Sequence, residues 1–410
     1  MTNRTPVTGP LLGLRILDLT RLLPGPLGTM LMADMGAEVI KIEDPNAPDY
    51  VRAFPPYING ESANYLAYNR SKRSVLLDYQ TPDGRDKFLD LVETADVVVE
   101  QFRPGHLDRL GLGYATARAR NPRIIYVSIT GYGQTGPYAH LAGHDLNYLA
   151  VSGVLGLTGT SPADAPVIPG VQLADIAGGS YGCVMATLAA LFARQRTGEG
   201  QHVDVSMTDA VMPLLSVAYA LQSGTDKSAD GGAGVGPSSR GPSGQGLSGR
   251  GQMPLSGGLA NYNLYRCRDG RYVALGTLEP KFWQKFCKLL DKPDWLAFLQ
   301  PQSPAQLAEF KTQIQLLFGE RDRDDWTRFG LENDLLITPV NDLPDLATDP
   351  QLTARQMIVT QQHPVAGPFQ SIGVPLKFSA TPAHPAWPAP LLGEDTDAIL
   401  GNRPEKPPVL

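Results

Sequence analysis

The stretch LRILDLTRLLPGPLGTMLMADMGAEVIKIE, residues 14–43, decides the fold. LRILDLT (Leu14–Thr20) is a short apolar run of strand length. PGPLGTMLMADMG follows as a helix, with Pro26 in its first turn, where a missing N–H is tolerated. AEVIKIE (Ala37–Glu43) is the next strand. The pattern then recurs as RSVLLDY, a helix from Pro82 to Thr94, and DVVVE (Asp96–Glu100). RIIYVSI (Arg123–Ile129) and HVDVSM are further strands. Strands alternating with helices predict an α/β domain, a parallel sheet with helices on both faces. Glu43 ends the second strand where a ribose-binding acid sits in nicotinamide domains. The first turn, LLPGPLG, lacks GxGxxG, so no glycine fingerprint cradles a pyrophosphate and that reading falls.

Outward from this core, the chain of 410 residues is long enough for two domains. Hydrophobic residues make up 42% and charged residues 19%, as in ordinary globular proteins. A net charge of −6 does not attract polyanions, so nucleic acid is not an expected partner. Any phosphate-bearing ligand needs a local basic patch. Cys183, Cys267 and Cys287 show neither zinc spacing nor a disulfide framework. The start has no apolar run of signal-peptide form, and no stretch is expected to reach the ~20 apolar residues that span a bilayer. The expected location is the cytoplasm, with no membrane partner.

Residues 1–223 read as the first part of a large domain, with one long helix over 175–196. Residues 224–258 hold 12 Gly and 6 Ser, a composition that cannot build a packed core, and read as a linker or insert. Residues 259–335 read as a small domain: a hairpin in NLYRCRDGRYVALG, then helices. Residues 336–410 are Pro-rich and extended, and are expected to return to the large domain.

Four features can carry chemistry. His144, in AGHDLNYLAVSG, sits where a glycine-rich loop gives way to a helix, and an imidazole can act as a general base. A satisfied structural histidine is the ordinary alternative. Asp145 beside it points elsewhere, because adjacent helical residues diverge. Asp175, in QLADIAGGS, reads as an N-cap or as a reactive carboxylate at a helix start; Gly178 and Gly179 would let a ligand approach that backbone. Glu279, in LGTLEPKFW, ends a strand before a proline-started helix and is otherwise a solvated glutamate. The basic run NRSKRS carries Arg70, Lys72 and Arg73, backed by Lys41, Arg103 and Arg109. It is either a solvated face or a phosphate handle at the sheet edge.

Taken together, these motifs resemble CoA-transferase family III (CaiB/BaiF), and within it the alpha-methylacyl-CoA racemase branch. The resemblance runs from about Leu11 to about Gly401. It is carried by NRSKRSVLLDY, by LVETADVVVEQFRPGHLDRLGLGY and by PAPLLGEDTDAIL. GHDLNY and EPKFW are similar to the racemase branch, which adds a histidine and a glutamate to the family's aspartate. The resemblance implies a large Rossmann-like domain built from both chain ends, a smaller α+β middle domain, and an interlocked homodimer. It implies His144, Asp175 and Glu279 as catalytic residues, with Glu279 supplied by the partner subunit. It implies contacts to an acyl-CoA thioester from Lys41, Arg70, Lys72, Arg73, Leu77, Asp78, Arg103, Gly143, Asp145, Asn147, Tyr148, Gly178 and Gly179. Coenzyme A is then part of the substrate, and no cofactor or metal is needed.

The implied reaction is inversion at the carbon alpha to a thioester. One base removes the proton, an enolate forms, and a second acid returns a proton to the opposite face. Backbone N–H groups at the start of the Asp175 helix are expected to meet the enolate oxygen. The chain departs from the family pattern at Asp44, where an arginine is expected, and at Gln80, where a lysine is expected. It also reads GGLANY (Gly257–Tyr262) where the racemase branch has a Gly-Gly-Ala-Pro-type stretch. The alternatives are CoA transfer between carboxylic acids through an Asp175 anhydride, which needs neither His144 nor Glu279, and a silent CoA-ester-binding dimer.

Overall fold

In the computed structural model, which describes residues 7–227, 249–300 and 302–401, the apolar runs form six parallel strands. These are β1 (Arg15–Asp18), β2 (Glu38–Glu43), β3 (Lys72–Leu76), β4 (Val97–Glu100), β5 (Ile125–Thr130) and β6 (His202–Ser206). The sheet order is β3-β2-β1-β4-β5-β6, the doubly wound order. On one face Leu17, Ile40, Val75, Val98 and Tyr126 pack against Phe88, Leu91 and Val92 of α2 (Pro82–Thr94). Burying the strands on both faces explains why they read as continuous apolar runs and do not alternate.

The other helices around the sheet are α1 (Pro24–Asp34), α3 (Tyr114–Arg120), α4 (Asp145–Ser152), α5 (Ala174–Thr197) and α6 (Met207–Val211). The first turns of α5, Ala174–Tyr181, are hydrogen-bonded i→i+5. α5 crosses α1 at close range. A Cβ on Gly179 would lie 2.6 Å from Pro24 Cβ, and one on Gly178 would lie 2.7 Å from the Met207 carbonyl oxygen. These glycines therefore serve packing within the chain, which corrects the expectation that they open the backbone to a ligand. α5 also corrects the expectation of no bilayer-length helix: it is long and apolar enough by composition, with mean hydropathy 1.6. Half of that window is buried, as in a core helix, because α5 packs on α1 and the sheet.

The chain divides into two compact units. One comprises the described residues of Met1–Ser152, Gly170–Met212 and Ala347–Leu410; the other comprises those of Gly153–Pro169 and Pro213–Leu346. Sequence reading placed the first boundary at 223 and gave residues 153–169 to the large domain. Residues 228–248 of the expected linker lie outside the described residues. In the second unit β7 (Tyr262–Arg266), β8 (Tyr272–Gly276) and β9 (Ile337–Pro339) form an antiparallel sheet. It packs with α7 (Pro280–Leu289), α8 (Pro304–Phe318) and α9 (Arg323–Glu332) around Trp283, Phe286, Phe318 and Trp326.

In the first unit the C-terminal segment covers the edge strand β3. The Ser71 N–H donates to the Trp387 carbonyl at 2.9 Å, and Ser74 N–H donates to the Asp395 carboxylate at 3.0 Å. A free edge would present unpaired backbone groups, so this return both satisfies and protects it.

A buried ionic network joins the end of β1, the middle of β2 and the start of β3. Lys72 Nζ donates to Asp18 at 3.0 Å, to Asn69 at 2.8 Å and to the Pro26 carbonyl at 2.9 Å. Lys41 Nζ donates to Asp49 at 2.9 Å and to the Thr20 carbonyl at 2.8 Å. Burial works against the charge on Asp18, but Lys72 and Lys41 outweigh it and hold its carboxyl at about 2. Arg70 is equally enclosed, paired with Asp34 at 2.8 Å. Lys41, Arg70 and Lys72 therefore cannot reach a ligand phosphate, a correction to the sequence reading. Each exposes at most 1% of its side chain.

Lys72→Met should leave Asp18 without its main counter-charge in the interior and lower stability by about 3–5 kcal/mol in chemical denaturation. Adding Asp18→Asn should recover part of that loss. A single-variant cost below about 1 kcal/mol would contradict the network's role.

Candidate active site

β1 and β4 are neighbours whose following connections run to opposite sides of the sheet, so a crevice opens between their carboxyl ends. A cleft of about 580 Å³ occupies this place, reaching across to the end of β5 and the start of α4. Its floor is not a dinucleotide cradle. Pro24 and Pro26 remove two of the donors at the start of α1, and the Gly25 N–H already donates to Gln101 Oε1 at 3.0 Å. Glu43, at the ribose position, is buried and paired with Arg52 at 2.7 Å. The Gln101 side chain also donates to the Arg21 carbonyl at 2.6 Å, so it clamps the turns after β1 and β4 together.

Leu22, on the wall of the cleft, has φ +60°, a strained value for a branched side chain. Its N–H donates to Asp49 Oδ1 at 3.1 Å, and Asp49 is held in turn by Lys41. The buried network thus fixes the wall's shape.

His144 and Asp175 both line the cleft. His144 stands just before α4 and is exposed; its N–H donates to Asn147 Oδ1 at 3.0 Å. Tyr148 O–H donates to the Gly143 carbonyl at 2.5 Å, and its ring meets Tyr132 edge-on at 5.2 Å. Gly143, Asn147, Tyr148 and Arg103, all expected at the site, line the same cleft.

Asp175 lies in the first turn of α5 and is not its N-cap, which is Leu173. Asp145 takes the capping role from a distance: its Oδ1 accepts from Ala174 N–H at 2.7 Å and Asp175 N–H at 3.0 Å. Two of the backbone donors expected to meet an enolate oxygen are therefore already used. Asp145 turns toward α5, so its expected contact with substrate is corrected to a contact with this helix. Burial, then the nearby Asp145 charge, pushes the Asp175 carboxyl up to about 7. Burial, then the Asp175 charge, pushes the Tyr148 hydroxyl up to about 12.

The remaining expected residues lie elsewhere. Arg73 is part-exposed and pairs with Glu38 at 3.3 Å. Leu77 is buried in the core beneath the sheet, and Asp78 accepts from Asn46 Nδ2 at 3.2 Å. Neither lines the cleft, because their strand ends on the far side of β2. Glu279 is exposed at the start of α7 in the second unit. Asp44 and Gln80, the two departures from the expected basic residues, bond to each other at 3.4 Å. Both expected cationic positions thus hold a carboxylate and an amide that bond each other, and neither supplies positive charge.

Of the cations left near the cleft, Arg103 was expected from the sequence and Arg21 was not. Arg103 lines it and is exposed. The Arg21 guanidinium lies 5.5 Å from the Phe102 ring centre, and His106 stacks on that ring at 4.9 Å. Burial, then Arg109 and Arg21, pushes the His106 imidazole down. Gln101 and Phe102 lie inside a segment that carries the resemblance, but Arg21 carries no motif signal, and only the fold brings it to them. Among the described residues no group of His, Cys, Asp or Glu is arranged to hold a metal ion. A larger cleft, about 660 Å³, opens in the second unit, but its Lys311 is engaged with the Gly257 carbonyl at 2.8 Å and no acid–base pair lines it.

Comparison with known proteins agrees with this architecture. Residues 11–396 match the family described as CoA-transferase family III. Mouse succinyl-CoA:glutarate CoA-transferase is 34% identical over 95% of this chain and 86% of its own length. Human alpha-methylacyl-CoA racemase is 32% identical over 95% of this chain and 92% of its own. A crystal structure of a CaiB/BaiF family protein from Brucella suis superposes with a TM-score of 0.77 at 32% identity, covering 97% of this chain and 100% of that one.

The raised Asp175 carboxyl has a consequence for stability. Its charged form is disfavoured in the folded protein, so the stability it confers when protonated is lost as pH rises from about 4 through about 7. Asp175→Asn should therefore stabilise the protein at pH 8 relative to wild type, and much less at pH 5. The gain should be at most roughly 4 kcal/mol, reduced by the residual solvent contact. Equal effects at both pH values in denaturation curves would contradict the shift.

Proposed function

The chain belongs to CoA-transferase family III, and we propose that within it this protein inverts the alpha carbon of 2-methylacyl-CoA thioesters. The observation that carries this reading is that an imidazole, His144, and a carboxyl titrating near neutrality, Asp175, line one cleft at the sheet's switch point. A 1,1-proton transfer needs two such groups, one for each face of the enolate. One removes the alpha proton, leaving the electron pair delocalised onto the thioester oxygen. The other delivers a proton to the opposite face, so that the configuration inverts. Arg103, with Arg21 and Arg109 nearby, would meet the phosphates of the CoA handle.

The rival reading is CoA transfer between carboxylic acids, the activity in the name of the mouse relative. There Asp175 attacks the thioester carbonyl, expels the CoA thiolate and forms a mixed anhydride. The thiolate then attacks the aspartyl carbonyl, giving an enzyme thioester and the free acid. His144 has no role in that sequence.

The two separate in D₂O with one epimer of a 2-methylacyl-CoA. Deuterium at the alpha carbon with loss of optical purity is expected, and His144→Ala should reduce it by about 10²–10⁴. Movement of CoA to an added carboxylate without alpha exchange would overturn the reading in favour of transfer. Tight binding with neither outcome would leave a silent CoA-ester-binding protein.

We propose further that two copies assemble and that the partner's copy of α7 supplies Glu279 to support His144. Tyr181, Met185, Leu188 and Phe192 form an exposed apolar stripe at helical spacing along α5, a surface suited to burial between copies. Met185→Asp with Phe192→Asp should yield a monomer by light scattering, with exchange activity lost. A demonstrably monomeric sample with full activity would refute the assembly's role.

A further inference from the structure

We infer that Asp145 is a positioning residue for the proton-transfer pair, locking the start of α5, and with it Asp175, against the residue that follows His144. This inference rests on the acid–base reading of His144 and Asp175.

The geometry is direct. Asp145 is the first residue of α4, and His144 immediately precedes it. Its Oδ1 accepts both the Ala174 and the Asp175 N–H, at 2.7 and 3.0 Å. Donors at a helix start have no turn before them to satisfy them, so one carboxylate oxygen fills two vacancies at once. The bond links residues far apart in sequence, and it joins the two segments that carry the two reactive groups. A shift of either segment would change the distance from His144 to Asp175 within the cleft, and misplacement by about 1 Å can cost around 10² in rate.

The same carboxylate acts electrostatically. Asp145 and Tyr148, both on α4, are the titratable groups that interact with Asp175, and His144, Tyr50 and Arg103 line the same cleft. α1 and α6 present Pro24 and Met207 beside the cleft, neither of which titrates. Asp145 is the charge that adds to burial in raising the Asp175 carboxyl. A carboxylic acid kept near neutrality serves as either acid or base in the physiological range, which a carboxyl at its ordinary value does not. The i→i+5 opening of α5 sits at this junction, as such irregular turns often do at functional sites.

The experiment uses the full chain as wild type, Asp145→Asn and Asp145→Ala. Asn keeps an oxygen acceptor for both N–H groups and removes the charge; Ala removes both. Two readouts are taken: the Asp175 titration by ¹³C-carboxyl NMR, assigned with Asp175→Asn, and the pH profile of alpha-proton exchange on a 2-methylacyl-CoA. In Asp145→Asn the Asp175 titration and the acid limb of kcat/KM should both move down by about one pH unit, with kcat within about tenfold of wild type. Asp145→Ala should lose about 100-fold in kcat with a much smaller change in KM. An unmoved Asp175 titration in Asp145→Asn overturns the inference and leaves the racemase reading intact. A moved titration in a protein whose wild type shows no alpha exchange supports the coupling and defeats the racemase reading.

Discussion

The buried lysines, Lys72 on β3 and Lys41 on β2, set the terms for everything above the sheet. Charges taken out of water are costly unless every valence finds a partner. Here each ammonium is met by a carboxylate and a carbonyl, and Lys72 by Asn69 as well. The network spans β1, β2 and β3 and reaches Asp49, which holds the strained backbone of Leu22. A hydrophobic replacement of similar volume would pack, but it would not hold the turn after β1 in that conformation. The same satisfaction explains why Arg70 and Lys72 of the basic run NRSKRS are unavailable to a ligand: their charge is consumed in the interior.

The crevice above that network shows how one sheet order serves a chemistry unlike that of dinucleotide enzymes. Where those folds present glycine and free N–H groups to a pyrophosphate, this chain places two prolines and a Gln101 clamp. The phosphate cradle is filled, and the ligand space is displaced toward the end of β5 and the starts of α4 and α5. There His144 and Asp175 stand at helix starts, where an imidazole or a carboxylate can face the cleft while its backbone is held. Asp145 binds these two starts into one unit, which makes the pair a property of the junction between them.

Close packing decides the rest of the site. Gly178 and Gly179 bring α5 within contact of Pro24 and Met207, so that Asp175 projects at the crevice and is not buried behind it. Partial burial then separates Asp175 from ordinary surface carboxylates. Arg21 and Phe102 gather at the rim for the same reason: they lie on turns after β1 and β4, which only the sheet makes adjacent.

The sequence alone carried the six strands, the helices between them and the segments around His144 and Asp175. Apolar runs bounded by turns are local signals, and their alternation with helices implies a parallel sheet, while the strand order came from the structure. It also carried the family resemblance, because motifs such as GHDLNY survive as contiguous words. It could not tell a ligand-facing cation from an interior one: Lys72 and Arg103 look alike in a string, yet one meets Asp18 and the other water. Nor could it show that Asp145 reaches the helix of Asp175, or that Gln80 donates to Asp44. Charge, burial and pairing are relations between residues distant in the chain, and only the tertiary fold assigns them.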